Sequence, residues 1–315
     1  MEQRVEPAGR RALVSRAREL RRARALRTAA AGQQEPLVEG DAAARVTVIE
    51  AAAPRTRVEL AELWRARELA FAFAWRDVKV RYKQSFVGIG WAILQPLLTM
   101  VVFTIIFGKF AKLPSEGKPY QPFVYAGLLP WTFFSTALSQ ISTSVMSNRA
   151  LVQKVYFPRL ILPISGLLVP GVDFLCSVAV LIGIMAWYHT GVSATVLLAP
   201  VFLLLLAITA LGVGSVLATI NARYRDVPYA IPFLVQIWLY LSPVIYAANA
   251  LPAKWHAIVS FNPAVAGITG FRWAVLGTHF PSTFELAAGL PVAVGLLILG
   301  FRVYRSWESR FVDTL

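Results

Sequence analysis

The scarcity of charge between residues 84 and 315 constrains the fold of this chain more than any other feature. Only 13 Lys or Arg and 6 Asp or Glu occur in these 232 residues. Six segments of this region are long and apolar enough to cross a bilayer, for which about 20 helical residues suffice. The segments are Gly88–Gly108, Pro122–Met146, Leu160–Tyr188, Val192–Ala222, Val227–Ala248 and Phe284–Phe301. The sequence therefore predicts an all-α integral membrane protein, with six transmembrane helices in residues 84–315.

The basic residues of the connecting loops predict how these spans are oriented. Eight of them lie in alternate connections or after the sixth span, namely Arg149, Lys154, Arg159, Arg223, Arg225, Arg302, Arg305 and Arg310. The opposite connections carry five. Because cytoplasmic loops are enriched in Lys and Arg, the more basic side is expected to be the cytoplasm. With six spans, both termini should then be cytoplasmic.

Two segments precede the first span. Residues 1–57 are rich in Arg, Ala and Glu and contain no apolar segment of signal-peptide length, so we expect a basic, largely disordered cytoplasmic arm. Its charge suits nucleic acid or anionic lipid, but the interspersed Glu residues favour a solvated arm, and no nucleic-acid partner is predicted. Over residues 58–83, apolar side chains recur at helical spacings, which predicts an amphipathic helix at the cytoplasmic membrane interface.

The connection between the fifth and sixth segments, residues 249–283, is long and still apolar. A further crossing would place the basic C-terminal residues on the wrong side of the membrane. The backbone polar groups of this connection must nevertheless be satisfied by protein or by water. We therefore expect two short re-entrant helices that dip back from the outer face, with Asn262, Pro263 and Arg272 in the middle of the connection.

The motifs of several common catalytic sites are missing from the sequence. No G-x-x-x-x-G-K-[ST] phosphate loop occurs, so ATP is not expected to bind this chain by that route. Cys176 is the only cysteine and the three histidines stand far apart, so neither a disulfide nor a metal site is predicted. Asp173 is the carboxylate nearest the middle of a span. Since no basic partner is evident at that depth, a structural role is favoured over a proton relay. No catalytic residue is predicted.

Several strings, in order along the chain, resemble ABC exporter permeases for polysaccharides and polyol phosphates. They are Trp75–Ser85 with Gly88 and Trp91–Leu97 at the entry to the first span, Leu151–Arg159 with Leu162-Pro163 before the third, Arg223–Pro228 before the fifth, Tyr240–Tyr246 at its end, and Phe261–Pro263 with Phe271-Arg272 in the outer segment. The resemblance runs from Glu59 to Leu315.

The resemblance implies a homodimer of six-span subunits, joined on the cytoplasmic side by two copies of a separate ATPase that binds ATP and Mg²⁺. It implies no cofactor in this chain. The expected activity is export of a lipid-linked glycan, such as O-antigen, capsule or teichoic acid, across the bacterial inner membrane. Two alternatives stay open: a permease of the same architecture that exports drugs or other small lipophiles, and a transferase acting on polyprenyl-linked glycans. The transferase is disfavoured because clustered acidic residues are missing.

The segment Asn148–Arg159 is the candidate contact with the ATPase. It is short, mixes cations with aromatic side chains, and contains Pro158, which disfavours a helical conformation at Phe157. A short helix here would insert hydrophobic side chains into a cleft of the ATPase. The alternative is a membrane-surface turn held by its cations. The candidate coupling residues are Asn148, Lys154, Val155, Tyr156, Phe157, Pro158 and Arg159.

Aromatic residues are dense in the first, second and fifth spans. Their ring faces suit the C–H faces of sugars, and weak uncharged contacts would hold a polymer without trapping it. We therefore predict a translocation path between the two protomers, lined by Trp91, Phe103, Phe107, Tyr125, Trp131, Phe134, Trp238, Tyr240 and Tyr246. For each of them, a place in the membrane interface or in the core is the alternative. An outer gate of Asn262, Pro263, Phe271 and Arg272 would close this path against ion leak.

Overall fold

The computed structural model describes residues 64–83, 86–155, 157–224, 226–248 and 253–311. All of them belong to one structural unit, residues 52–315. Every regular element within the described ranges is helical. The α-helices are α1 (Arg67–Lys83), α2 (Phe86–Phe103), α3 (Tyr120–Ser147), α4 (Arg149–Lys154), α5 (Ile161–Ser165), α6 (Leu168–Trp187), α7 (Ala199–Arg223), α8 (Val227–Tyr240), α9 (Ala253–Ser260), α10 (Pro263–Leu276) and α11 (Thr283–Trp307). The predicted N-terminal arm, residues 1–57, lies outside the described residues and stays a prediction.

Four helical segments of the described chain are long and apolar enough to cross a membrane. They are Ile93–Phe110, Ile161–Trp187, Ala194–Arg223 and Thr283–Trp307, with lengths of 18 to 30 residues. At 1.5 Å per residue, their lengths are about 27 to 45 Å, against a hydrocarbon core of about 30 Å. The predicted all-helical membrane architecture is thereby confirmed at the first, third, fourth and sixth predicted segments.

Helix α3 occupies the second predicted segment and is the central helix of the bundle. It has 28 residues and packs against α2, α6, α7 and α10, so that residues 122–131 are all buried. Several of its hydroxyl groups donate hydrogen bonds to carbonyls three or four residues earlier in the same helix. Thr132 Oγ1 donates to the Leu128 carbonyl at 2.8 Å, and Ser144 Oγ donates to the Ile141 carbonyl at 2.7 Å. Such bonds satisfy polar side chains inside a bundle.

The fifth predicted segment, Val227–Ala248, differs from the expected continuous helix. Helix α8 covers only its first 14 residues, about 21 Å, and the chain then continues as turns. The cause lies in the sequence, because Pro243 offers no backbone N–H and disfavours a helical conformation at Ser242. Residues 242–245 are all buried. This non-helical segment, residues 241–248, lies against α10, as the contacts of Arg272 described below show.

Two helices, α9 and α10, lie between the fifth and sixth predicted segments. The start of α10 is fixed by Asn262, whose side-chain oxygen accepts from the Ala264 backbone N–H at 3.1 Å, and by Pro263 in the first turn. The helix ends at Gly277, which adopts a φ of 64° in the left-handed region. The two short helices expected from the sequence are present. Their depth in the membrane stays a prediction.

Helices α7 and α11 pack backbone to backbone. A Cβ atom built on Gly300 would lie 2.1 Å from the Gly212 carbonyl oxygen, and one built on Gly212 would lie 2.5 Å from the backbone of Leu296. Larger residues at these glycines would force the helices apart, so the small residues allow the close approach seen in membrane bundles. The C-terminal end of α11 is therefore held firmly beside α7.

Helix α1 packs against the bundle with small side chains and exposes large aromatic ones. Ala74 and Val78 are buried, whereas Trp64, Phe71 and Trp75 are 69%, 61% and 45% exposed. Phe71 and Trp75 of α1, and Trp64 just before it, are thus largely uncovered by the rest of the subunit, whereas Tyr82 in the last turn is half-buried against α6. Residues 58–63 of the predicted amphipathic helix lie outside the described chain, and its location at the membrane interface stays a prediction.

Candidate functional site

The candidate coupling segment begins as a short helix and then becomes extended. Helix α4 ends at Lys154, and Val155 has extended backbone angles. Val155 is 51% exposed and Lys154 is also exposed, whereas Pro158 is half-buried. Phe157 is buried within the subunit, with its ring 5.5 Å from that of Phe73 of α1. Phe157 therefore packs inward here, and Val155 is the hydrophobic side chain that the described part of the segment presents outward. Tyr156 lies outside the described residues.

Both ends of the coupling segment are held by hydrogen bonds from distant helices. At its start, the Arg76 guanidinium of α1 donates to the Asn148 side-chain oxygen at 2.6 Å. At its end, Arg159 uses both of its backbone groups. Its N–H donates to a Glu308 carboxylate oxygen at 3.0 Å, and its carbonyl accepts from the Tyr304 hydroxyl at 3.1 Å. The sequence interpretation missed all three partners, since none lies within 70 residues of the group it binds.

Asp173 has a basic partner, which corrects the expectation that none is present at its depth. Arg81 Nη2 lies 2.9 Å from one carboxylate oxygen, and the Tyr82 hydroxyl donates to the other. Both partners come from the last turn of α1, which packs against α6. Burial and the Asp173 carboxylate raise the pKa of the Tyr82 hydroxyl, so it remains a donor at neutral pH. The carboxylate therefore fastens α1 to the bundle.

The nine aromatic residues predicted for the path do not form one surface of the subunit. Tyr125, Trp131 and Phe134 are buried in its core, whereas Trp91 and Tyr240 are each 55% exposed. The remaining four, Phe103, Phe107, Trp238 and Tyr246, are half-buried.

Two of the path aromatics join α3 to α8 inside the subunit. The rings of Phe134 and Trp238 meet edge to face with centroids 4.9 Å apart, and Trp131 lies 5.4 Å from Phe134. Phe103 and Phe107 form a separate pair at 5.7 Å. Of the nine, Trp91 and Tyr240 therefore expose the largest fractions of their surface to a second protein or a substrate in this conformation.

Among the described residues, the predicted gate residue Arg272 is the largest fully buried side chain, with 2% of its surface exposed. Its Nη2 donates to the carbonyl oxygens of Pro243 and Val244 at 3.0 and 2.8 Å, and its guanidinium lies 4.0 Å from the centroid of the Phe123 ring. Burial lowers the pKa of Arg272 to about 10, so the side chain stays charged at neutral pH. A Cβ built on Gly127 would lie 2.0 Å from Nη2, which explains why only glycine fits there.

Asn262 holds the other end of the same non-helical segment. Its Oδ1 accepts from Trp238 Nε1 at 2.9 Å, and its Nδ2 donates to Ser242 Oγ at 3.0 Å. The Tyr120 hydroxyl adds a bond to the Ile245 carbonyl at 2.8 Å. Side chains thereby satisfy the carbonyls of Pro243, Val244 and Ile245, which lie outside any helix.

The structure thus brings Asn262 and Arg272 together around residues 241–248. Pro263 is buried in the first turn of α10, and Phe271 packs against Phe174 of α6 at 5.7 Å. Tyr120, Phe123 and Gly127 complete this site from α3, and the sequence interpretation did not include them. The Ser242-Pro243 dipeptide was the signal that could have revealed the broken helix.

Comparisons with known proteins support a transport role. A Klebsiella pneumoniae protein named O-antigen export system permease protein RfbA is 28% identical over 242 residues, which are 76% of this chain and 92% of that protein. A Myxococcus xanthus protein of the same name is 27% identical over 256 residues, or 81% and 98% of the two chains. The Escherichia coli polysialic acid transport protein KpsM is 22% identical over 245 residues, or 76% and 93%.

The ABC-2 type transporter family matches residues 68–276, about two thirds of the chain. The matched range runs from α1 to the end of α10, so it includes the coupling segment and the surroundings of Arg272. Membership implies a separate ATPase that binds and hydrolyses ATP. The chain belongs to the ABC-2 type transporter family and is a multi-pass membrane transport subunit rather than an enzyme.

Proposed function

We propose that this chain exports a lipid-linked polysaccharide across the bacterial inner membrane as the transmembrane subunit of an ABC transporter. The observation that carries the proposal is its similarity, over about four fifths of its length, to permeases named for O-antigen export. The further similarity to a polysialic acid transport protein favours a glycan over a drug or another small lipophile. Two copies of the chain would pair, with two copies of the ATPase on the cytoplasmic side.

The proposed topology has six crossings with both termini in the cytoplasm. Helix α3 supplies the second crossing. Helix α8 is about 21 Å long, so the fifth crossing needs the non-helical segment to complete it. Residues 242–245 of this segment are buried, and the carbonyls of Pro243, Val244 and Ile245 accept from side chains, which is the condition for non-helical backbone at membrane depth. Helices α9 and α10 would then be the re-entrant pair on the outer face.

The proposed contact with the ATPase centres on Lys154 and Val155. Both side chains are exposed, and the segment that carries them is held at Asn148 by Arg76 of α1 and at Arg159 by Tyr304 of α11. A contact made at Val155 would therefore move supported backbone rather than a loose loop. Through Phe157, Arg76 and Tyr304, such a movement would reach both α1 and α11.

The proposed path uses the exposed aromatic residues Trp91 and Tyr240 as its lining. The buried cluster of Trp131, Phe134 and Trp238 would form a second layer that supports α8 from inside the subunit. The outer gate is the non-helical segment, residues 241–248, together with Asn262 and Arg272, whose side chains hydrogen-bond it. Breaking the hydrogen bonds of either side chain would leave buried carbonyls or hydroxyls without partners, so the closed arrangement is favoured when no glycan is present.

The test is the fate of the glycan in cells that lack this protein. A deletion strain should accumulate lipid-linked glycan on the cytoplasmic side, and surface glycan should return when the gene is restored. Restoration with Val155→Asp should fail although the protein is inserted in the membrane. Normal surface glycan in the deletion strain, together with a raised sensitivity to lipophilic drugs, would instead support drug export.

A further inference from the structure

A stripe of polar side chains follows one face of α3 from the end that leads into the coupling segment. Its members recur at spacings of three or four residues, which places them on one side of the helix. They are Thr132, Thr136, Gln140, Thr143 and Ser147. The stripe is about 22 Å long, against a hydrocarbon core of about 30 Å. Since polar groups are unfavourable in lipid, a stripe of this length indicates that water or a polar ligand contacts it.

An open groove of about 370 Å³ lies over the half of this stripe that is next to the coupling segment. Helix α3 lines it with Gln140, Thr143 and Ser147, and α1 lines it with Arg76 and Arg81. Side chains of α5 and of the first turn of α6 complete the lining. In the proposed topology, the groove opens on the cytoplasmic side of the membrane.

The charged side chains of the groove are paired within the subunit. Arg76 Nη2 lies 2.8 Å from an Asp77 carboxylate oxygen, and Arg81 Nη2 lies 2.9 Å from an oxygen of Asp173. A guanidinium has five N–H donors, so each arginine keeps donors that these ion pairs do not use. The groove therefore offers charged donors without an excess of either charge.

Uncharged polar groups of α3 are available beside these arginines. In the part of the chain that the structure describes, neither the Gln140 side-chain amide nor the Ser147 hydroxyl has a hydrogen-bond partner. The Thr143 hydroxyl donates to the Ser139 carbonyl at 3.1 Å, which leaves its oxygen free to accept. Gln140 is half-buried and Ser147 is exposed. The groove thus presents donors and acceptors at short intervals along one helix face.

This lining disfavours three classes of ligand. The Asp77 carboxylate and the pairing of both arginines disfavour an anion such as phosphate. The described residues contain no group of three His, Cys, Asp or Glu side chains that could hold a metal ion. An apolar molecule would displace water from Gln140 and Ser147 without replacing its hydrogen bonds. A neutral molecule with several hydroxyl groups suits the donors and the acceptors alike.

We propose that the groove binds a single pyranose ring of the glycan on the cytoplasmic side, before the glycan crosses. Hydroxyl groups of the ring would donate to Gln140 Oε1 and Asp77, and would accept from Gln140 Nε2 and Arg76. A C–H face would lie against Val80, which is 72% exposed. The volume is about two and a half times that of a cavity of about 150 Å³ that holds one benzene molecule, so a ring with its hydroxyl groups fits. The inference rests on the proposed export of a glycan and names a subsite at its entrance.

Both arginines of the groove also join α1 to other parts of the subunit. Arg76 donates to Asn148 at the start of the coupling segment at 2.6 Å, and Arg81 binds Asp173 of α6. A second cavity of about 50 Å³ shares Arg81 with the groove and is lined by Thr136 farther along the stripe. A sugar that binds Arg76 would act on the coupling segment through Asn148. Glycan at the entrance would thereby be linked to the contact with the ATPase.

The test is binding of simple sugars to the purified transporter complex in lipid nanodiscs, in which both faces of the membrane are open to solution. Saturation-transfer NMR would be recorded with methyl pyranosides of glucose, galactose, mannose, rhamnose and N-acetylglucosamine. Binding of inorganic pyrophosphate would be followed separately by phosphorus NMR. At least one pyranoside should bind the wild type, with a dissociation constant at least fivefold higher for Gln140→Leu and for Thr143→Val.

The matched control is Thr99→Val in α2. The Thr99 hydroxyl also donates to the carbonyl four residues earlier, at 2.9 Å, but it does not line the groove. This control should bind the pyranoside as the wild type does. Leu at position 140 breaks no bond to a described residue, and Val has nearly the shape of Thr, so both test variants should fold.

Absence of transfer from every pyranoside, or equal binding by the wild type and both test variants, would overturn the inference. Pyrophosphate binding that these variants weaken, in place of pyranoside binding, would show an anion site instead. Failure of the subsite is separable from failure of the proposed function. If the protein restores surface glycan to the deletion strain but no pyranoside binds, only the subsite is wrong. If the deletion strain keeps its surface glycan, the export function is wrong.

Discussion

Replacing Gly127 by Ala should destabilise the protein through a residue 145 positions away. The added methyl carbon would lie 2.0 Å from Arg272 Nη2 and 2.8 Å from the Val244 carbonyl oxygen. Nη2 must move, and its two bonds to the Pro243 and Val244 carbonyls weaken or break. Hydrogen bonds from charged groups contribute about 1.5–3 kcal/mol each, and overpacking adds about 1–3 kcal/mol. Alanine regains about 1 kcal/mol of helix propensity. Allowing for partial relaxation, the expected loss is about 2–4 kcal/mol.

The assay is thermal unfolding of the purified protein in one detergent, followed by tryptophan fluorescence. A loss of this size should lower Tm by roughly 5–15 °C for a domain of this length. The matched control is Gly183→Ala in α6, where the added methyl group would meet nothing within 4 Å. This control should unfold at the wild-type temperature or slightly above it. An unchanged Tm in Gly127→Ala would refute the claim that Arg272 is clamped against the carbonyls.

Three further substitutions test the coupling segment, the hydrogen bond that holds its end, and the attachment of α1. Val155→Asp should reduce co-purification of the ATPase at least tenfold. The control is Val192→Asp on a different loop, where the side chain is 65% exposed, and it should leave co-purification unchanged; equal loss would contradict a coupling role. Tyr304→Phe removes the donor to the Arg159 carbonyl, so it should lower the free energy of unfolding by about 1 kcal/mol and reduce the transport per ATP hydrolysed. Unchanged transport per ATP would show that the Tyr304 bond to Arg159 does not serve coupling. Asp173→Asn should loosen α1 and speed its amide hydrogen exchange at least threefold; unaltered protection would show that the carboxylate does not hold this helix.

The helices were predictable from sequence because their signals are local. Runs of apolar residues mark four of the spans, and the pair α9 and α10 follows from an apolar connection that cannot cross once more. The end of α8 shows the limit of hydropathy. Residues 241–248 are apolar enough to continue a helix, but Ser242-Pro243 interrupts it, and backbone geometry prevails over composition there.

The partners that build the sites were not predictable, because they depend on contacts between distant segments. Asp173 lacks a basic neighbour in sequence, and its partner Arg81 comes from a helix 92 residues earlier. In the same way, the density of aromatic residues did not reveal which faces they occupy. Tyr125 is buried in the core, whereas Tyr240 is exposed, although both lie in aromatic-rich apolar segments.

The most direct measurement reconstitutes the chain with its ATPase in proteoliposomes that contain lipid-linked glycan from its host. Glycan that reaches the outer leaflet opposite the ATPase is detected by cleavage with an added glycosidase that cannot enter the vesicles. We expect cleavage that requires ATP and both subunits, and that is lost when Val155→Asp replaces the wild type. Exposure of the glycan without ATP, or ATP-driven export of lipophilic dyes with no movement of glycan, would contradict it.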